Sequence, residues 1–353
     1  MAAELRVLDA QVDHAEWLRR WRDTPSREPF SHPAYCSLFA EEGIRATALA
    51  ADFADGSVLF PVLVKDLGRE PWAGPDDRRR DLSVPNGYGG PFVAGTVSEQ
   101  ECAGFWRLVD GWACQERLVA GDVRLSLHLD EVLPMRGWET VHVSDNVVVD
   151  LRARADPCAG FSSSLRRNIA RAGRSDVEIG QARDVVSWEI FRKLYTETMN
   201  RREARSDYYF SAAFFAGLRS RFEDAGLFLA YDAAGEALSG ELFVTSPSRS
   251  YSLFSASSSR GLKVHANEAV KSEAIRHCAD SGRDCYVLGG GNAPDDGLFQ
   301  YKLRFAPQGR RAYYVGRRVF DRTSYDALVG ERQRWALRKT GGPYVPDRFP
   351  AYR

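Results

Sequence analysis

Apolar positions recur along this chain with two different periods, and the changes of period mark its elements. Leu165, Ile169 and Ala172 fall at i, i+4 and i+7, while Arg167, Arg171 and Arg174 repeat the same spacing on another face. Ser162-Ser163-Ser164 precedes them as an N-cap, so the pattern predicts a helix that stops at Gly173. Trp188, Phe191, Leu194 and Tyr195 predict an amphipathic helix over about 186–199, and a third helix is expected near 212–223. Then the period drops to two. L-F-L-A-Y-D, A-L-S-G-E-L-F-V-T and S-Y-S-L-F-S-A are separated by the turns A-A-G-E and S-P-S-R, which reads as an antiparallel meander. A helix over about 266–281 and a strand at Cys285–Leu288 complete a β-β-β-α-β unit.

A similar order occurs in the first half. A-T-A-L-A-A-D and S-V-L-F-P-V-L-V flank the turn D-F-A-D-G, and the glycine-rich S-V-P-N-G-Y-G-G-P-F follows. A helix from Glu99 to about Leu118 and a strand V-R-L-S-L-H-L come next. Strands, a glycine break, a helix and a strand thus occur twice, which implies an internal duplication. The joint is expected at D-L-R-A-R-A-D-P-C-A-G (150–160), where proline and glycine break the pattern. One more helix is expected at about 324–337, followed by a proline-rich extended end. The fold class is therefore α+β, mixed, with two domains, as the length of 353 residues also suggests.

Composition adds limits. An apolar fraction of 44% with 12% aromatics is enough for filled cores and too rich for disorder. Charged or turn residues interrupt every apolar run before it reaches membrane-spanning length, and the first residues lack a signal-peptide core, so a cytoplasmic protein is expected. The six cysteines (36, 102, 114, 158, 278 and 285) form no C-x-x-C pair, which fits reduced thiols and gives no metal site. The net charge of zero hides an asymmetry. Residues 1–160 hold 17 basic and 26 acidic side chains, and residues 161–353 hold 31 and 22. Residues 298–353 alone carry 13 basic and 4 acidic side chains, which suits either a docked polyanion or a solvated basic tail.

Several chemistries lack their motifs. The chain has no G-x-S-x-G elbow, P-loop or H-E-x-x-H, and G-Y-G-G-P and V-L-G-G-G lack the spacing of a dinucleotide fingerprint. What stands out is Tyr251–Phe305, where a strand ends in Gly289, Gly290 and Gly291 and Lys302 sits among Phe299, Tyr301 and Phe305. Glycines there let the backbone approach a ligand or turn sharply, and one embedded lysine can face a polar reacting group or simply snorkel over aromatic neighbours.

Five blocks, P-N-G-Y-G-G-P (85–91), S-L-R-R-N-I-A-R-A (164–172), R-R-E-A-R-S-D-Y-Y-F (201–210), A-N-E-A-V (266–270) and G-L-F-Q-Y-K-L-R-F (297–305), together resemble the FemABX peptidyltransferases, a branch of the GNAT acyltransferase superfamily. The resemblance implies tandem GNAT-like domains, each a mostly antiparallel central sheet flanked by helices. The first would span 1–155 with a C-terminal return at about 307–353, and the second 156–306. It implies an aminoacyl-tRNA co-substrate, no further cofactor, and transfer of the amino acid to an amine on an acceptor. Lys302 matches the family's lysine and would face the oxyanion formed at the ester carbonyl. Arg205 lies where the family holds an acceptor phosphate, with Tyr209 beside it, and Tyr88 falls in the acceptor region of the first domain. Asn267 is either a helix cap or a substrate contact. Arg166, Arg167, Arg171 and Arg174 would meet the tRNA backbone, or form an ordinary solvated face.

Three departures shape the acceptor. No acid follows G-P at 90–91, Val287 replaces the acid of Y-D-x-G-G, and the N-terminal loop S-H-P-A-Y-C-S-L-F-A-E-E lacks the family's lysine. These fit relatives that make small peptide natural products in actinobacteria, antibiotics among them, better than a peptidoglycan-precursor peptidyltransferase. Two rivals stand beside this reading. An acyl-CoA-dependent N-acyltransferase would need a Q/R-x-x-G-x-G/A turn, whose glycine R-G-L-K-V-H-A misplaces, and an RNA-binding module without catalysis would use only the basic surface. The sequence leaves the oligomeric state open, with a monomer compatible.

Overall fold

The computed structural model describes residues 4–74, 76–153 and 155–353. In chain order the elements are β1 (Arg6–Asp9), α1 (His14–Asp23), α2 (Pro33–Cys36), β2 (Ile44–Asp52), β3 (Gly56–Asp66), β4 (Arg80–Ser83), β5 (Phe92–Gly95), α3 (Glu99–Gln115) and β6 (Leu118–Arg124). There follow β7 (Glu139–Asp150), α4 (Ser163–Arg174), β8 (Glu178–Gln181), α5 (Val185–Arg201), α6 (Ala212–Arg221), β9 (Ala225–Tyr231), β10 (Ala237–Thr245) and β11 (Arg249–Ser257). The last are α7 (Ser259–Lys263), α8 (Ala266–Asp280), β12 (Cys285–Gly289), α9 (Gly297–Leu303), β13 (Arg310–Val319) and α10 (Arg322–Thr340). Two compact units result, Met1–Val143 with Tyr314–Arg353, and Ser144–Tyr313. The divisions fall inside β7 and β13 rather than in the proline- and glycine-broken 150–160 segment.

Both units repeat one strand plan. In the first, β2, β3 and β4 pair antiparallel and β6 lies parallel to β4 after α3. In the second, β9, β10 and β11 pair antiparallel and β12 lies parallel to β11 after α8. Each plan has an antiparallel outer strand, β1 on β2 and β8 on β9. Each also has an antiparallel strand on its parallel member, β13 on β6 and β7 on β12. The helix expected to run to Leu118 stops at Gln115, and its following strand starts at Leu118 instead of Val123. Arg117, held at φ 57°, turns the chain tightly enough for the strand to begin at once.

Local sequence explains the helix starts. Ser98 and Glu101 form a capping box on α3, and Ser162, Asp184, Ser211 and Asp321 cap α4, α5, α6 and α10. In the first unit, Phe105, Trp106, Val109 and Trp112 of α3 pack on Phe60, Val62, Leu82 and Val123. Trp17 and Trp21 of α1 cover Ala46, Ala48 and Ala50. In the second, α8 buries Val270, Ala274 and Ile275 against Phe228, Phe243 and Tyr286. Alternation along β10 divides its residues, since Glu241 reaches Lys271 of α8 whereas Gly240 lies under the Phe191 ring of α5.

Candidate active site

The second unit's parallel pair opens where the candidate residues gather. β11 and β12 pair only from Arg249/Cys285 to Tyr251/Val287, although both strands run on. β12 then shifts register against β7 between Val287 and Gly289, and Gly289 turns away at φ 75°. That conformation suits glycine. Beyond it, Asp296 fixes the loop and starts α9 together. One of its oxygens accepts from the Phe299 amide at 2.8 Å, and the other accepts from the Asn292 amide at 2.8 Å. A Cβ on Gly291 would stand 2.2 Å from Asp296 Oδ1, so only glycine permits this clamp. Arg310 holds the other side, stacked 4.7 Å from the Phe299 ring centre and paired with Asp145 at 2.7 Å and Asp295 at 2.6 Å.

Lys302 reaches from α9 back to this loop, and its Nζ donates to the Gly290 carbonyl at 2.6 Å. No carboxylate pairs with it among the described residues. Burial pushes the amine down to about 7, and the positive charge of Lys271 adds to that, against smaller opposing pulls from Glu241 and Asp296. The side chain is therefore poised between amine and ammonium near neutral pH.

Beneath it lies a polar cluster that motif and periodicity did not reveal. Glu241 of β10 and Lys271 of α8 are both buried and pair at 2.6 Å. Ser252 and Ser255 of β11 each donate to Glu241 at 2.6 Å and accept from Lys271 at 3.0 Å, and the Tyr286 hydroxyl donates to Glu241 at 2.9 Å. The signal in the sequence was the charge itself. Glu241 stands inside an apolar strand run, and Lys271 on the apolar stripe of a helix.

Asn267 is not the helix cap. His265, at φ 61°, precedes α8, and Asn267 Nδ2 instead donates to the Tyr301 hydroxyl at 3.1 Å. Glu268, also buried, accepts from Asn168 at 3.2 Å and pairs with Arg304 at 2.5 Å, which ties α4, α8 and α9 together. His265 Nδ1 stands 3.0 Å from the second Glu268 oxygen without hydrogen-bond alignment.

Lys302 and the glycine loop thus come together, and Asn267 reaches α9 through the Tyr301 hydroxyl. The remaining candidates lie elsewhere on their own elements. Arg205 and Tyr209 belong to the connector between α5 and α6, both substantially exposed, with Arg205 3.7 Å from Asp207. Tyr88, in the first unit, stacks edge-on against Phe30 at 5.7 Å. Arg166, Arg167, Arg171 and Arg174 are all exposed on α4. Arg166 donates to the Ala159 carbonyl at 2.8 Å, and the other three make no ion pair among the described residues. No group of side chains among the described residues is arranged to hold a metal ion, and no helix is long and apolar enough to cross a membrane.

The repeated plan, with one parallel strand pair in each unit, is a tandem fold of the GNAT type. Residues 159–303 match the family model described as an acetyltransferase (GNAT) domain. Across nearly its whole length, the chain has a FemABX-like GNAT fold. FemX aligns at 14% identity and a TM-score of 0.67, over 91% of this chain and 99% of FemX. L-PGS from Bacillus licheniformis aligns at 11% identity and a TM-score of 0.58, over 92% of this chain and 97% of that one. A tandem GNAT protein from the clavulanic acid biosynthesis pathway aligns at 9% identity and a TM-score of 0.52, over 89% and 98%. At these identities the likeness is one of fold. No curated protein matches the sequence.

Proposed function

We propose that this protein is an acyltransferase that takes an amino acid from aminoacyl-tRNA and joins it in amide linkage to the amine of a small acceptor. The observation that carries the reading is Lys302, a lysine without a carboxylate partner, held on Gly290 at the open end of β12 in a FemX-like fold. An aminoacyl ester is already activated, so a neutral amine attacks it without a covalent enzyme intermediate. The enzyme's work is orientation, and charge placed near the carbonyl oxygen as it becomes an oxyanion. Lys302 serves that oxygen, the glycine loop lets the ester approach, and Arg205 and Tyr209 meet the acceptor. The arginines of α4 meet the tRNA backbone. The missing family acid at Val287 favours a small acceptor, as in peptide natural-product assembly.

An acyl-CoA donor is the second reading, and the GNAT family match is what favours it. The residues of α7 and the turn into α8 fit pyrophosphate poorly. Gly261 is committed to packing, since a Cβ there would stand 2.1 Å from the Leu238 carbonyl. Lys263 and His265 occupy positions where the R-x-x-G-x-G/A turn has small residues, and Arg260 is engaged by Asp232.

The deciding experiment supplies purified protein with individual charged tRNAs and candidate amines. Amide product that disappears on RNase treatment supports the proposal. Amide formed from acyl-CoA without RNA would overturn it in favour of the second reading, and tRNA binding with no product from any pair would favour a binding module.

A further inference from the structure

Amide formation needs a group to take the proton that the attacking amine releases, and the turn into α8 carries one. β11 and β12 run parallel, so the connection leaving β11 and the glycine loop leaving β12 lie at the carboxyl ends of one strand pair, where open α/β sheets bind ligands. His265 stands on that connection, immediately ahead of α8. The first turn of α8 is also tied to the helix that carries Lys302. Asn267 Nδ2 donates at 3.1 Å to the hydroxyl of Tyr301, the residue before Lys302, and Glu268 Oε1 pairs with Arg304 at 2.5 Å.

Backbone hydrogen bonds fix His265 at φ 61° from both sides. Its amide donates to the Leu262 carbonyl at 3.3 Å, and its carbonyl accepts from the Glu268 and Ala269 amides at 3.1 Å. Asparagine would make this left-handed turn equally well, so the turn itself does not call for an imidazole. The ring's Nδ1 stands 3.0 Å from Glu268 Oε2, a buried oxygen with no aligned hydrogen-bond donor. Rotation about the soft χ2 of histidine brings the ring N–H into line with it. Asn168 and Arg304 both donate to Glu268 Oε1, which leaves Oε2 for the ring. Nε2 has no hydrogen-bond partner among the described residues, and the side chain is 27% exposed. The charged groups nearby are Glu268 of α8, Arg304 at the end of α9 and Lys263 of α7, while Arg260 of α7 turns to Asp232 and α4 presents the uncharged Asn168.

We propose that His265 is a further catalytic residue, the general base of the transfer, and that Glu268 is the positioning residue that keeps the ring proton on Nδ1 and the Nε2 lone pair outward. This rests on the reading of Lys302 as the group at the ester carbonyl. The acceptor nitrogen forms its bond to the carbonyl carbon, and the carbonyl electron pair moves to the oxygen that faces Lys302. The nitrogen passes one proton to Nε2, and the imidazolium so formed faces the Glu268 carboxylate. As the carbonyl re-forms, the bond from carbon to the ribose oxygen breaks. The departing oxygen takes that proton and leaves as a hydroxyl, and His265 returns to the neutral ring. A base with a buried orienting carboxylate is the part of a catalytic triad that remains when an activated ester makes the enzyme nucleophile unnecessary.

The first test reads the imidazole with neither donor nor acceptor present. In the nitrogen NMR spectrum of histidine-labelled protein, His265 is the signal missing from His265→Asn, a variant that keeps the left-handed backbone. Neutral His265 is expected with its proton on Nδ1. In Glu268→Gln the amide oxygen should stay on Asn168 and Arg304 and turn the NH2 group to Nδ1, moving the ring proton to Nε2. A native ring protonated on Nε2, or a tautomer indifferent to Glu268→Gln, overturns the proposal. The second test uses whichever donor and amine give product. His265→Asn should lower kcat about a hundredfold or more with KM within about twofold, and added imidazole should restore part of the rate. Full kcat in folded His265→Asn, or a loss that imidazole does not restore, overturns the proposal, since a merely structural histidine has no reason to be replaced by a free base. Because the tautomer is read without RNA, failure of the tRNA assay and failure of this proposal are separately visible.

Discussion

The role proposed for Lys302 comes at a cost to the fold. Its folded-state proton affinity is lowered from an ordinary 10.5 to about 7, so between those values the unfolded chain binds more protons than the folded one. Stability contributed at this site therefore rises with pH across that window, and the cost is complete below pH 7. Lys302→Met should accordingly be more stable than the native protein at pH 6, by ~2–4 kcal/mol less ~1 kcal/mol for the lost Gly290 hydrogen bond. The gain should shrink as pH rises from 7 towards 10, measured by urea unfolding at several pH values. Equal gains at all pH values would mean that the amine is not desolvated. For catalysis, Lys302→Ala should lower kcat roughly a hundredfold to a thousandfold while tRNA affinity stays within about twofold. Equal loss of both would make the lysine a phosphate contact. Lys302 was legible in the sequence because aromatic residues bracket it within a familiar block. Glu241 and Lys271 were not, because they lie 30 positions apart in the chain and only the packing of α8 on β10 joins them.

At the scale of elements, the glycine loop and α9 form one mechanical piece. Asp296 holds the Asn292 amide and the Phe299 amide together, while Lys302 closes the far side on Gly290. Gly291→Ala should break the Phe299 contact, since its Cβ would stand 2.2 Å from Asp296 Oδ1, the acceptor of that amide, and a loss of ~1–3 kcal/mol in unfolding free energy is expected. Asp296→Ala should cost ~1 kcal/mol for the cap and also slow turnover, because the helix that carries Lys302 loses its anchor. A full kcat in that variant would separate α9 from the chemistry. Long elements with a clear period, such as α5, α8, β10 and β11, were readable from apolar spacing. β8 was not, since Glu178–Gln181 exposes most of its residues and leaves no alternation to read. β4, β5 and β1 are only four residues each, too short for a period to show. β13 begins R-R-A-Y-Y, with its first three residues exposed, so no period shows there and a returning strand after Pro307 is expected from the family resemblance alone.

Across the whole molecule, the charge asymmetry seen along the chain is largely undone by folding. The basic residues from Tyr314 onward join the acidic first segment in one compact unit, which then holds 24 basic and 27 acidic side chains. The second unit holds 24 and 21, so the contrast of −9 and +9 along the sequence becomes −3 and +3 between units. Net charge therefore gives little attraction for a polyanion, and any docking has to come from local clusters. On α4 the buried stripe of Leu165 and Ala172 leaves Arg167, Arg171 and Arg174 on the solvent side, where no carboxylate pairs with them among the described residues. Unpaired surface arginines release counter-ions when they meet phosphates, whereas paired ones exchange one partner for another. Arg167→Glu with Arg171→Glu should weaken tRNA binding and reduce the slope of log affinity against log salt by about one to two. Arg192→Glu, whose native side chain is already paired with Glu189 on α5, is the matched control from the same unit and should leave the slope near its native value. If the two α4 substitutions leave the slope unchanged, the arginine stripe is an ordinary solvated helix face and the RNA, if it binds, docks elsewhere.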